Sequence, residues 1–453
     1  MYGEVTLSEV LDARENRVKI QREIIEKYKS TLISLTLNIP GGLKVYPLSI
    51  KTYNEAISLI TKHLKRHHIN IIYQMDKKEK TGYEGFFVVE GNPLRIKKLM
   101  VDIENSCGLG RIFDIDVLDN SGNKVSRSEL NIAERSCLIC NDNGHVCSRS
   151  RRHEAEELQR KVIEIMEDYF NNQFAKKCAE YACRALLYEV CITPKPGLVD
   201  RNNNGSHKDM DMFTFIDSAS VLTTYFGDLI LSGIKYHDEK PEILFEKIRY
   251  LGMLAEDDMF FITNNVNTHK GIIFSLGIIC ASLGYLYKNE KDINTDNILK
   301  ISKLMTSEID DDFKEITKEN AKTFGEKLYA SCGITGIRGE AAGGFPSVKI
   351  HGLPILKKLI KKGYSLNEAG ALTLLNLIAN VKDTNIIARS SIELLEGIQF
   401  RIQNLIYKKG IENISNDEII DLDNQFIKMN ISPGGCADLL AITLMLYFSE
   451  SLT

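Results

Sequence analysis

The pattern of apolar residues changes once along this chain, and the change limits which folds the chain can adopt. Up to residue 118, short alternating runs of β-branched and aromatic residues stand between helical segments. After His153, apolar residues recur at helical spacing and strand-like runs nearly vanish. These later helical segments span residues 154–192, 211–233, 241–262, 271–288, 295–306, 367–380, 386–407 and 433–450. The sequence therefore predicts a part with helices and strands, followed by an all-helical part.

The N-terminal part alternates helices with strands. Residues 6–29, 54–65 and 94–104 have helical spacing, whereas residues 31–39, 69–75, 85–90 and 111–118 are typical of strands. We expect an α+β domain with a mixed sheet, followed by an all-α domain. A chain of 453 residues is too long for one hydrophobic core. We place the boundary at the Asn171-Asn172 pair, which gives domains 1–170 and 171–453.

Net charge, apolar runs and cysteine content indicate where the protein is located and which partners it does not bind. The net charge of −4 gives no general attraction to nucleic acid or anionic lipid. The N-terminus does not resemble a signal peptide, and the most apolar run, 271–287, is broken by glycines and flanked by lysines. Ten cysteines in such a chain favour reduced thiols or metal ligands over disulfides. We expect a cytoplasmic protein that binds neither nucleic acid nor membrane.

The segment from Thr193 to Asp211 holds too many backbone breakers for a helix or a strand. Its two prolines restrict φ, and its two glycines permit turns. The side chains left to project are those of Lys195, Asp200, Arg201, His207, Asp209 and Asp211. This set suits a metal ion and a polyphosphate, and the alternative for the segment alone is a solvated polar loop.

Two aspartates, Asp114 and Asp116, alternate within the predicted strand 111–118. Their side chains therefore project from the same face of the strand. Two adjacent carboxylates repel each other unless a cation lies between them, and nucleotidyltransferases hold Mg²⁺ against a polyphosphate in this way. We expect a nucleotidyltransferase-like first domain with Mg²⁺ on this pair. An edge strand with acidic residues facing water is the alternative.

A cluster of cysteines follows this strand. Cys137 and Cys140 have the C-x-x-C spacing of a metal knuckle, and His145, Cys147 and His153 could complete a tetrahedral set. The second half of the cluster lacks a paired spacing of its own. We therefore favour reduced structural cysteines, with zinc as the alternative.

A basic cluster overlaps the end of the cysteine cluster. It consists of Arg149, Arg151 and Arg152. Planar guanidinium groups pair bidentately with phosphate, so we expect a phosphate clamp here. The solvated start of a helix is the alternative.

Four more polar segments fall at turns of the helical part. They are Asn267–Gly271, the glycine-dense run Gly333–Pro346 with Arg338 and Glu340, Asp383–Asn385, and Ser432–Asp438 at the start of the last helix. Each signal is weak alone, because a helix cap has the same appearance. Together with residues 193–211, they predict one acidic, phosphate-binding centre on a helical scaffold.

These segments resemble two enzyme families. Residues 175–453 closely resemble the triphosphoribosyl-dephospho-CoA synthase family, through Glu189–Asp211, Asn267–Gly271, Arg338–Glu340, Asp383–Asn385 and Ser432–Gly435. The N-terminal part resembles the apo-citrate lyase phosphoribosyl-dephospho-CoA transferase family, through Gly110–Val117 and Arg135–His153. The whole chain resembles a natural fusion of the two.

The resemblance implies a bifunctional transferase that runs two consecutive reactions. The C-terminal domain would join the ribose of ATP to the 2′-hydroxyl of 3′-dephospho-CoA and release adenine. The N-terminal domain would transfer the product to a serine of the acyl carrier (gamma) subunit of citrate lyase and release pyrophosphate.

The resemblance also assigns roles to the polar residues. In the first reaction, Asp209, Asp211 and Glu340 would stabilise an oxocarbenium-like state, accept a proton or, for the two aspartates, hold Mg²⁺. The phosphate-binding set would be Lys195, Arg201, His207, His269, Lys270, Arg338, Gly434 and Gly435. In the second reaction, Asp114 and Asp116 would carry Mg²⁺, with Arg111, Arg149 and Arg151 as charge partners.

Two other functions stay open on the sequence alone. A metal-dependent hydrolase of ADP-ribose-type substrates would use the same acidic clusters on a helical scaffold. A non-catalytic zinc-knuckle module would bind RNA or protein through residues 149–152, although the chain lacks the overall positive charge typical of such modules.

Overall fold

The computed structural model describes residues 3–140, 142–150, 152–308, 317, 320–321 and 324–452. The chain divides into two units, Met1–Asn171 and Asn172–Thr453. Within the described ranges, every strand lies in the first unit, and the regular elements of the second unit are helices. This distribution follows the change in apolar spacing along the sequence.

The first unit contains four helices and four strands among its described residues, besides the beginning of a fifth helix. They are α1 (Leu7–Tyr28), β1 (Thr31–Leu37), α2 (Pro47–Arg66), β2 (Ile71–Glu79), β3 (Gly82–Val89), α3 (Pro93–Ser106), β4 (Phe113–Leu118) and α4 (Gly144–Arg149). The strand order is β2-β3-β1-β4, and each neighbouring pair is antiparallel.

The prediction of a mixed sheet is therefore wrong. Helices α2 and α3 each connect two parallel strands, as the alternating sequence pattern suggests. The tight β2–β3 hairpin, however, places β3 between β1 and β2, and β1 in turn separates β3 from β4. Each helical connection therefore skips a strand, which is the split βαβ arrangement.

The two faces of this sheet differ in polarity. One face carries Ile33, Leu35, Phe87, Ile115 and Val117 into the main core of the unit. The opposite face packs against α1, and it changes from apolar to polar along the strands. Its apolar end consists of Leu32, Phe86, Val88 and Leu118 beneath Ile24 and Ile25, and its polar end consists of Ser34, Thr36, Glu84, Asp114 and Asp116. Helix α1 contacts this polar end through Arg17, which pairs with Glu84 and donates to Thr36, whereas Asp114 on the edge strand β4 is exposed.

In the described part of the second unit, helices are joined by turns and loops. Helix α5 (Ala155–Cys191) begins in the first unit and ends in the second. The others are α6 (Met212–Lys235), α7 (Pro241–Ile262), α8 (Lys270–Lys288), α9 (Thr295–Met305), α10 (Phe324–Cys332), α11 (Gly336–Ala342), α12 (Leu353–Lys361), α13 (Leu366–Asn380), α14 (Thr384–Arg389), α15 (Ile392–Lys409), α16 (Asn416–Lys428) and α17 (Gly434–Ser449).

Two helical segments of the described chain, Lys270–Lys288 and Gly434–Leu452, are long and apolar enough to cross a bilayer by length and composition alone. Inside the structure, 78% and 61% of their most apolar windows are buried, respectively. A helix that is apolar on all sides is expected at the centre of a large helical core. Both segments fill that position here, with α8 packed against α6, α7, α9 and α17.

Helices α6 and α8 approach each other closely at two glycines. A Cβ atom on Gly233 would lie 2.1 Å from the Ala281 carbonyl oxygen, and a Cβ atom on Gly284 would lie 2.0 Å from the Ile230 carbonyl oxygen. Both carbonyl oxygens belong to the backbone, which cannot rotate away as a side chain can. Glycine at both positions is therefore a requirement of this helix crossing.

We predict that Gly284→Ala separates α6 from α8 and destabilises the second unit by about 1–3 kcal/mol, as overpacked cores do. Gly252→Ala in α7 is the matched control, because no atom lies within 4 Å of its Cβ position. That variant should be neutral or slightly stabilising, since alanine favours helix more than glycine. Urea unfolding of the full chain compares them, and equal midpoints for Gly284→Ala and the unmodified protein would contradict the close crossing.

Candidate functional site

All five polar turn segments of the second unit surround one cavity of about 680 Å³. The lining comes from the stretch between α5 and α6, the start of α8, the glycine-dense stretch up to α11, the start of α14 and the start of α17. Its ionisable residues are Glu189, Lys195, His207, Asp209, His269, Lys270, Glu340, Lys382, Asp383, Arg389 and Asp438. The helices thus bring distant parts of the sequence to one place.

The loop that begins at Thr193 is held from inside by buried carboxylates. Asp200 accepts hydrogen bonds from the backbone N–H of Lys195 at 3.0 Å and of Asn202 at 2.7 Å. Asp423 accepts the N–H of Gly197 at 2.8 Å. Residues 192–200 are all buried. The alternative of a solvated polar loop is therefore wrong for this part of the segment, because its turns are fixed by internal hydrogen bonds.

Lys195 is buried and already paired. Its Nζ atom lies 2.5 Å from Glu189 Oε1 and donates to the Glu189 carbonyl oxygen at 2.7 Å. Both residues line the cavity. Removing one partner of a buried ion pair leaves an uncompensated charge and typically costs about 3–5 kcal/mol. The pair therefore has a structural role as well as a place in the cavity wall.

His269 presents a neutral imidazole to the cavity. Burial, aided by the nearby charge of Lys195, lowers the pKa of His269 to about 3. Thr268 Oγ1 donates to Ser218 Oγ at 2.9 Å, and Ser218 Oγ lies 2.7 Å from His269 Nδ1. The Ser218 hydrogen is then directed to Nδ1, which leaves the imidazole proton on Nε2. No described residue accepts from that buried Nε2 atom, so it is available to a ligand.

Asp383 connects the starts of α14 and α17. One carboxylate oxygen accepts the N–H groups of Asn385 at 2.8 Å and Ile386 at 3.3 Å, and the other accepts the Cys436 N–H at 2.8 Å. Burial raises the pKa of Asp383 in spite of these donors. A Cβ atom on Gly435 would lie 3.1 Å from this carboxylate. Both oxygens are occupied, so Asp383 positions the surrounding loops.

Asp438 has no hydrogen-bond or ion-pair partner among the described residues. Burial, together with the charges of Glu189 and Asp383, raises the pKa of Asp438 well above its usual value. The carboxylate packs against the N-terminus of α8, where a Cβ atom on Gly271 would lie 2.2 Å from Asp438 Oδ2. Repulsion of this kind among carboxylates is relieved by a cation.

Glu340 also faces the cavity from α11. It accepts from Ser347 Oγ at 2.5 Å and from the Ser347 N–H at 3.2 Å. Burial raises the pKa of Glu340, and the two Ser347 donors counteract part of that rise. The carboxylate is therefore held in one orientation.

His207 and Arg389 form a polar pair on the cavity wall. His207 Nε2 lies 2.8 Å from Ser432 Oγ, and Arg389 Nη2 lies 3.3 Å from His207 Nδ1. Burial and the neighbouring guanidinium lower the pKa of His207. His207 is therefore a neutral hydrogen-bonding group, whereas Arg389, Lys270 and Lys382 supply positive charge to the lining.

Three residues predicted for this centre lie outside the cavity lining. Asp211 is the N-cap of α6 and accepts the Thr214 N–H at 2.9 Å. Arg201 donates to Asn367 Oδ1 at 2.9 Å, and Arg338 is exposed on α11. A charged residue next to a helix terminus has the same appearance in sequence whether it caps the helix or binds a ligand.

Three ionisable lining residues are not among the candidates named from the sequence. Glu189 lies near the end of the long helix α5 and Arg389 at the end of α14, where each resembles an ordinary helix charge, and Lys382 lies in the turn between α13 and α14. Glu189 begins one of the segments that carry the family resemblance, and the structure shows it buried, unlike a solvated helix charge.

A second cavity, of about 380 Å³, lies in the first unit on the polar end of the sheet face beneath α1. Asp114 and Asp116 both line it. Asp114 Oδ2 accepts from Thr36 Oγ1 at 3.3 Å, and Asp116 Oδ1 lies 2.6 Å from Lys124 Nζ. The alternative of an edge strand with exposed acidic residues is met in part, because β4 is at the edge of the sheet and Asp114 is exposed, while Asp116 is half-buried and both line the cavity.

The positive charges of this second cavity come from residues that the sequence did not single out. Arg14 and Arg17 project from α1, and Lys44 lies in the loop after β1. Arg17 Nε lies 3.1 Å from Glu84 Oε1 and Arg17 Nη1 donates to Thr36 Oγ1 at 3.3 Å. Burial and the charge of Arg14 lower the pKa of Lys44. In the sequence, Arg14 and Arg17 resemble charges on the solvated side of a helix, and Lys44 resembles an ordinary loop charge.

The arginines predicted as charge partners lie elsewhere. Arg111 donates to the Ser136 carbonyl oxygen at 2.6 Å and to Ser136 Oγ at 3.2 Å. Arg149 is exposed at the end of α4 and does not line the cavity. Arg151 and the side chain of His145 lie outside the described residues.

Two family models match consecutive parts of this chain. Residues 5–169 match the model described as apo-citrate lyase phosphoribosyl-dephospho-CoA transferase (CitX). Residues 175–453 match the model described as ATP:dephospho-CoA triphosphoribosyl transferase (CitG). The first match contains the cavity with Asp114 and Asp116, and the second contains the cavity with Asp438.

Relatives extend this similarity to nearly the full length. Protein CitXG of Haemophilus influenzae is 33% identical over 98% of this chain and 96% of its own length. Protein CitXG of Leuconostoc mesenteroides subsp. cremoris is 33% identical over 98% of this chain and 97% of its own length. The 2-(5''-triphosphoribosyl)-3'-dephosphocoenzyme-A synthase of Haemophilus ducreyi is 37% identical over 68% of this chain and 98% of its own length.

We predict that His269 weakens folding as the pH falls. Its pKa is about 3 in the folded chain against 6.5 for a free histidine, so the unfolded chain gains a proton that the folded chain excludes. Between about pH 7 and about pH 5, this difference removes roughly 2 kcal/mol from the free energy of unfolding. Over this pH interval, the His269→Gln variant should therefore lose roughly 2 kcal/mol less stability than the unmodified protein.

Urea unfolding at both pH values measures the difference. His237→Gln is the control in the same unit, because the His237 side chain keeps 24% exposure. An identical pH dependence for His269→Gln and the unmodified protein would show that His269 is not held neutral.

Proposed function

The chain belongs to the apo-citrate lyase phosphoribosyl-dephospho-CoA transferase family and to the ATP:dephospho-CoA triphosphoribosyl transferase family, and we propose that each unit carries one of the two activities. The protein is a bifunctional transferase. It makes 2'-(5''-triphosphoribosyl)-3'-dephospho-CoA and transfers this group to the apo acyl carrier protein of citrate lyase. We assign synthesis to Asn172–Thr453 and transfer to Met1–Asn171, in line with the residues that each family model matches.

In the synthesis reaction, the 2′-hydroxyl of dephospho-CoA attacks the anomeric carbon of ATP, and adenine leaves. The reaction passes through an oxocarbenium-like state, which nearby carboxylates stabilise. The observation that carries our assignment is the convergence of Glu189, Glu340 and Asp438 on one cavity with a neutral histidine and several cations. A volume of about 680 Å³ falls in the range of ligand pockets.

Glu340 is our candidate for the proton acceptor. Its two hydrogen bonds to Ser347 fix its orientation, and its raised pKa makes it a stronger base than an exposed glutamate. The Nε2–H of His269 and the N-terminal N–H groups of α8 would donate to phosphate oxygens without carrying a full charge. Arg389 and Lys270 would neutralise part of the triphosphate.

The same cavity offers carboxylates that would hold Mg²⁺ together with the triphosphate. Asp209 and Asp438 would supply the oxygen ligands that this ion prefers, and burial together with the charges of Glu189 and Asp383 raises the pKa of Asp438, which a nearby divalent cation would counteract. When bound, the ion would neutralise the triphosphate and orient it. Asp211 is no longer a candidate ligand in this proposal, because its carboxylate caps α6.

In the transfer reaction, the serine of the carrier protein attacks the phosphate next to the ribose, and pyrophosphate leaves. Asp114 and Asp116 are our candidates for holding Mg²⁺, which would stabilise the departing pyrophosphate, in the manner of nucleotidyltransferases. Arg14, Arg17 and Lys44 would bind the remaining phosphate charge, in place of Arg111 and Arg149. We further propose a cytoplasmic location, where cysteines stay reduced, since each of the ten cysteines lies outside a disulfide.

We predict that Asp438→Asn abolishes adenine release from ATP and dephospho-CoA, while the variant still transfers preformed product to the apo carrier protein. Asp211→Asn is the matched control, because asparagine also caps helices well and Asp211 lies outside the lining. It should keep most of both activities. Mass spectrometry of the products also tests the hydrolase alternative, which requires free ribose triphosphate instead of a dephospho-CoA adduct.

Asp114→Asn should have the opposite effect. We expect loss of pyrophosphate release and of carrier modification by roughly 10²-fold or more, as for other charge-stabilising groups at reaction centres, with adenine release unchanged. Asp102→Asn, which replaces an exposed aspartate on α3, should be silent. Loss of both activities in a folded Asp114→Asn protein would refute the assignment of one reaction to each unit.

A further inference from the structure

The cysteine cluster of the first unit gathers four metal-binding groups at one point. The ligand atoms of Cys137, Cys140, Cys147 and His153 all lie within 4.8 Å of one another. Cys140 Sγ and Cys147 Sγ are 3.9 Å apart. Two thiolates on a tetrahedral zinc ion, with Zn–S bonds of about 2.3 Å, lie about 3.8 Å apart. The spacing is too long for a disulfide, and it matches the separation that zinc requires.

We propose that Cys137, Cys140, Cys147 and His153 bind a structural Zn²⁺ ion. This ion is separate from the magnesium that we assign to the two reaction centres. Three cysteines and one histidine are a frequent ligand set for structural zinc, and a complete set of four leaves no open position for catalysis. Thiolate ligands favour zinc over magnesium, which prefers oxygen.

The carboxylate of Glu157 orients the ring of His153 for metal binding. His153 Nδ1 lies 3.3 Å from Glu157 Oε2, one helical turn away. A carboxylate in this position holds the ring and keeps the proton on Nδ1, which is the usual outer partner of a zinc-bound histidine. His153 Nε2 is then the nitrogen with a free lone pair. It is buried, and no described residue bonds to it.

If the cysteines were only reduced and structural, the buried Nε2 atom of His153 would have no partner among the described residues. A buried nitrogen without a partner costs free energy, and packing against thiols does not compensate for it. A zinc ion bonded to Nε2 removes this cost. The sequence has one C-x-x-C pair and lacks a second pair of closely spaced ligands. This would argue against zinc only if all four ligands had to come from two such pairs. Here, the third ligand comes from α4 and the fourth comes from the segment just before α5.

The backbone around the first two ligands also suits a metal knuckle. The Ile139 N–H donates to Cys137 Sγ at 3.5 Å, and the Cys137 N–H donates to the Asp142 carbonyl oxygen at 2.6 Å. Ser136 and Asn143 form an isolated antiparallel bridge. A tight turn therefore presents both cysteines to the same side, and an N–H group stabilises negative charge on one sulfur.

The proposed ion would stabilise the strand that carries the acidic pair. Arg135 lies two residues before Cys137, donates to the Phe113 carbonyl oxygen at 2.7 Å and pairs with buried Glu104. Arg111, just before β4, donates to Ser136. The knuckle is thus tied to the start of β4, one residue before Asp114. In the described chain between β4 and α4, the regular secondary structure is one short 3₁₀ turn, Ser128–Leu130, and a bound metal would add stability to this turn-rich segment.

Metal analysis of the full-length protein, purified without a metal-affinity tag from zinc-supplemented medium, tests the proposal. We expect about one zinc per chain. Cys140→Ser should reduce the zinc content to roughly a tenth or less, because three remaining ligands bind far more weakly. Cys332→Ser is the matched control, since this exposed cysteine lies in the second unit. Adenine release by Cys140→Ser shows that the second unit is still folded.

Cobalt substitution covers the case in which Cys140→Ser fails to fold. Metal-free unmodified protein, titrated with Co²⁺, should develop thiolate-to-cobalt charge-transfer absorption that Zn²⁺ then removes. Folded protein that contains no zinc and gives no such absorption would overturn the proposal. Both readouts are independent of catalysis, so a failed zinc site and a failed assignment of the two reactions remain distinguishable.

Discussion

Hydrogen bonds from backbone N–H groups to buried carboxylates hold the second unit's cavity together. Asp200 and Asp423 fix the loop after α5, and Asp383 joins the start of α14 to the start of α17. Each carboxylate compensates for its own burial by accepting several N–H groups. Because these hydrogen bonds hold the loops in place, Glu340 can remain buried and Asp438 can remain buried close to Glu189 and Asp383, both with raised pKa values. The same arrangement would let a bound cation and a polyphosphate lower the energy of the site.

In the first unit, a β-sheet positions the charged residues that line the cavity. Strand alternation places Asp114 and Asp116 on the face beneath α1, and pairing with β1 places Thr36 and Ser34 beside them. Because that face is apolar at one end and polar at the other, α1 can pack firmly at Ile24 while it contributes arginines further along. Positive and negative groups therefore meet in a cavity although the chain as a whole is slightly acidic.

Spacing in the sequence predicts what depends on neighbouring residues. It predicts the helical character of the second unit, the common face of Asp114 and Asp116, and the five polar turns that line one cavity. Spacing does not predict features that depend on contacts between residues far apart in the sequence. The β2–β3 hairpin determines strand order, and the N-cap role of Asp211 is visible only beside Thr214. Glu189 and Arg17 resemble solvated helix charges until a second segment packs over them.

Hydrogen exchange of the full chain with ATP, Mg²⁺ and a non-reactive dephospho-CoA analogue tests the central claim most directly. If the five segments form one nucleotide site, the amides of residues 195–211, 267–272, 333–340, 383–389 and 434–438 should gain protection together. Amides of the exposed part of α15 serve as an internal reference. Protection confined to one segment, or none in the second unit when substrate is bound, would contradict a single site built from all of them.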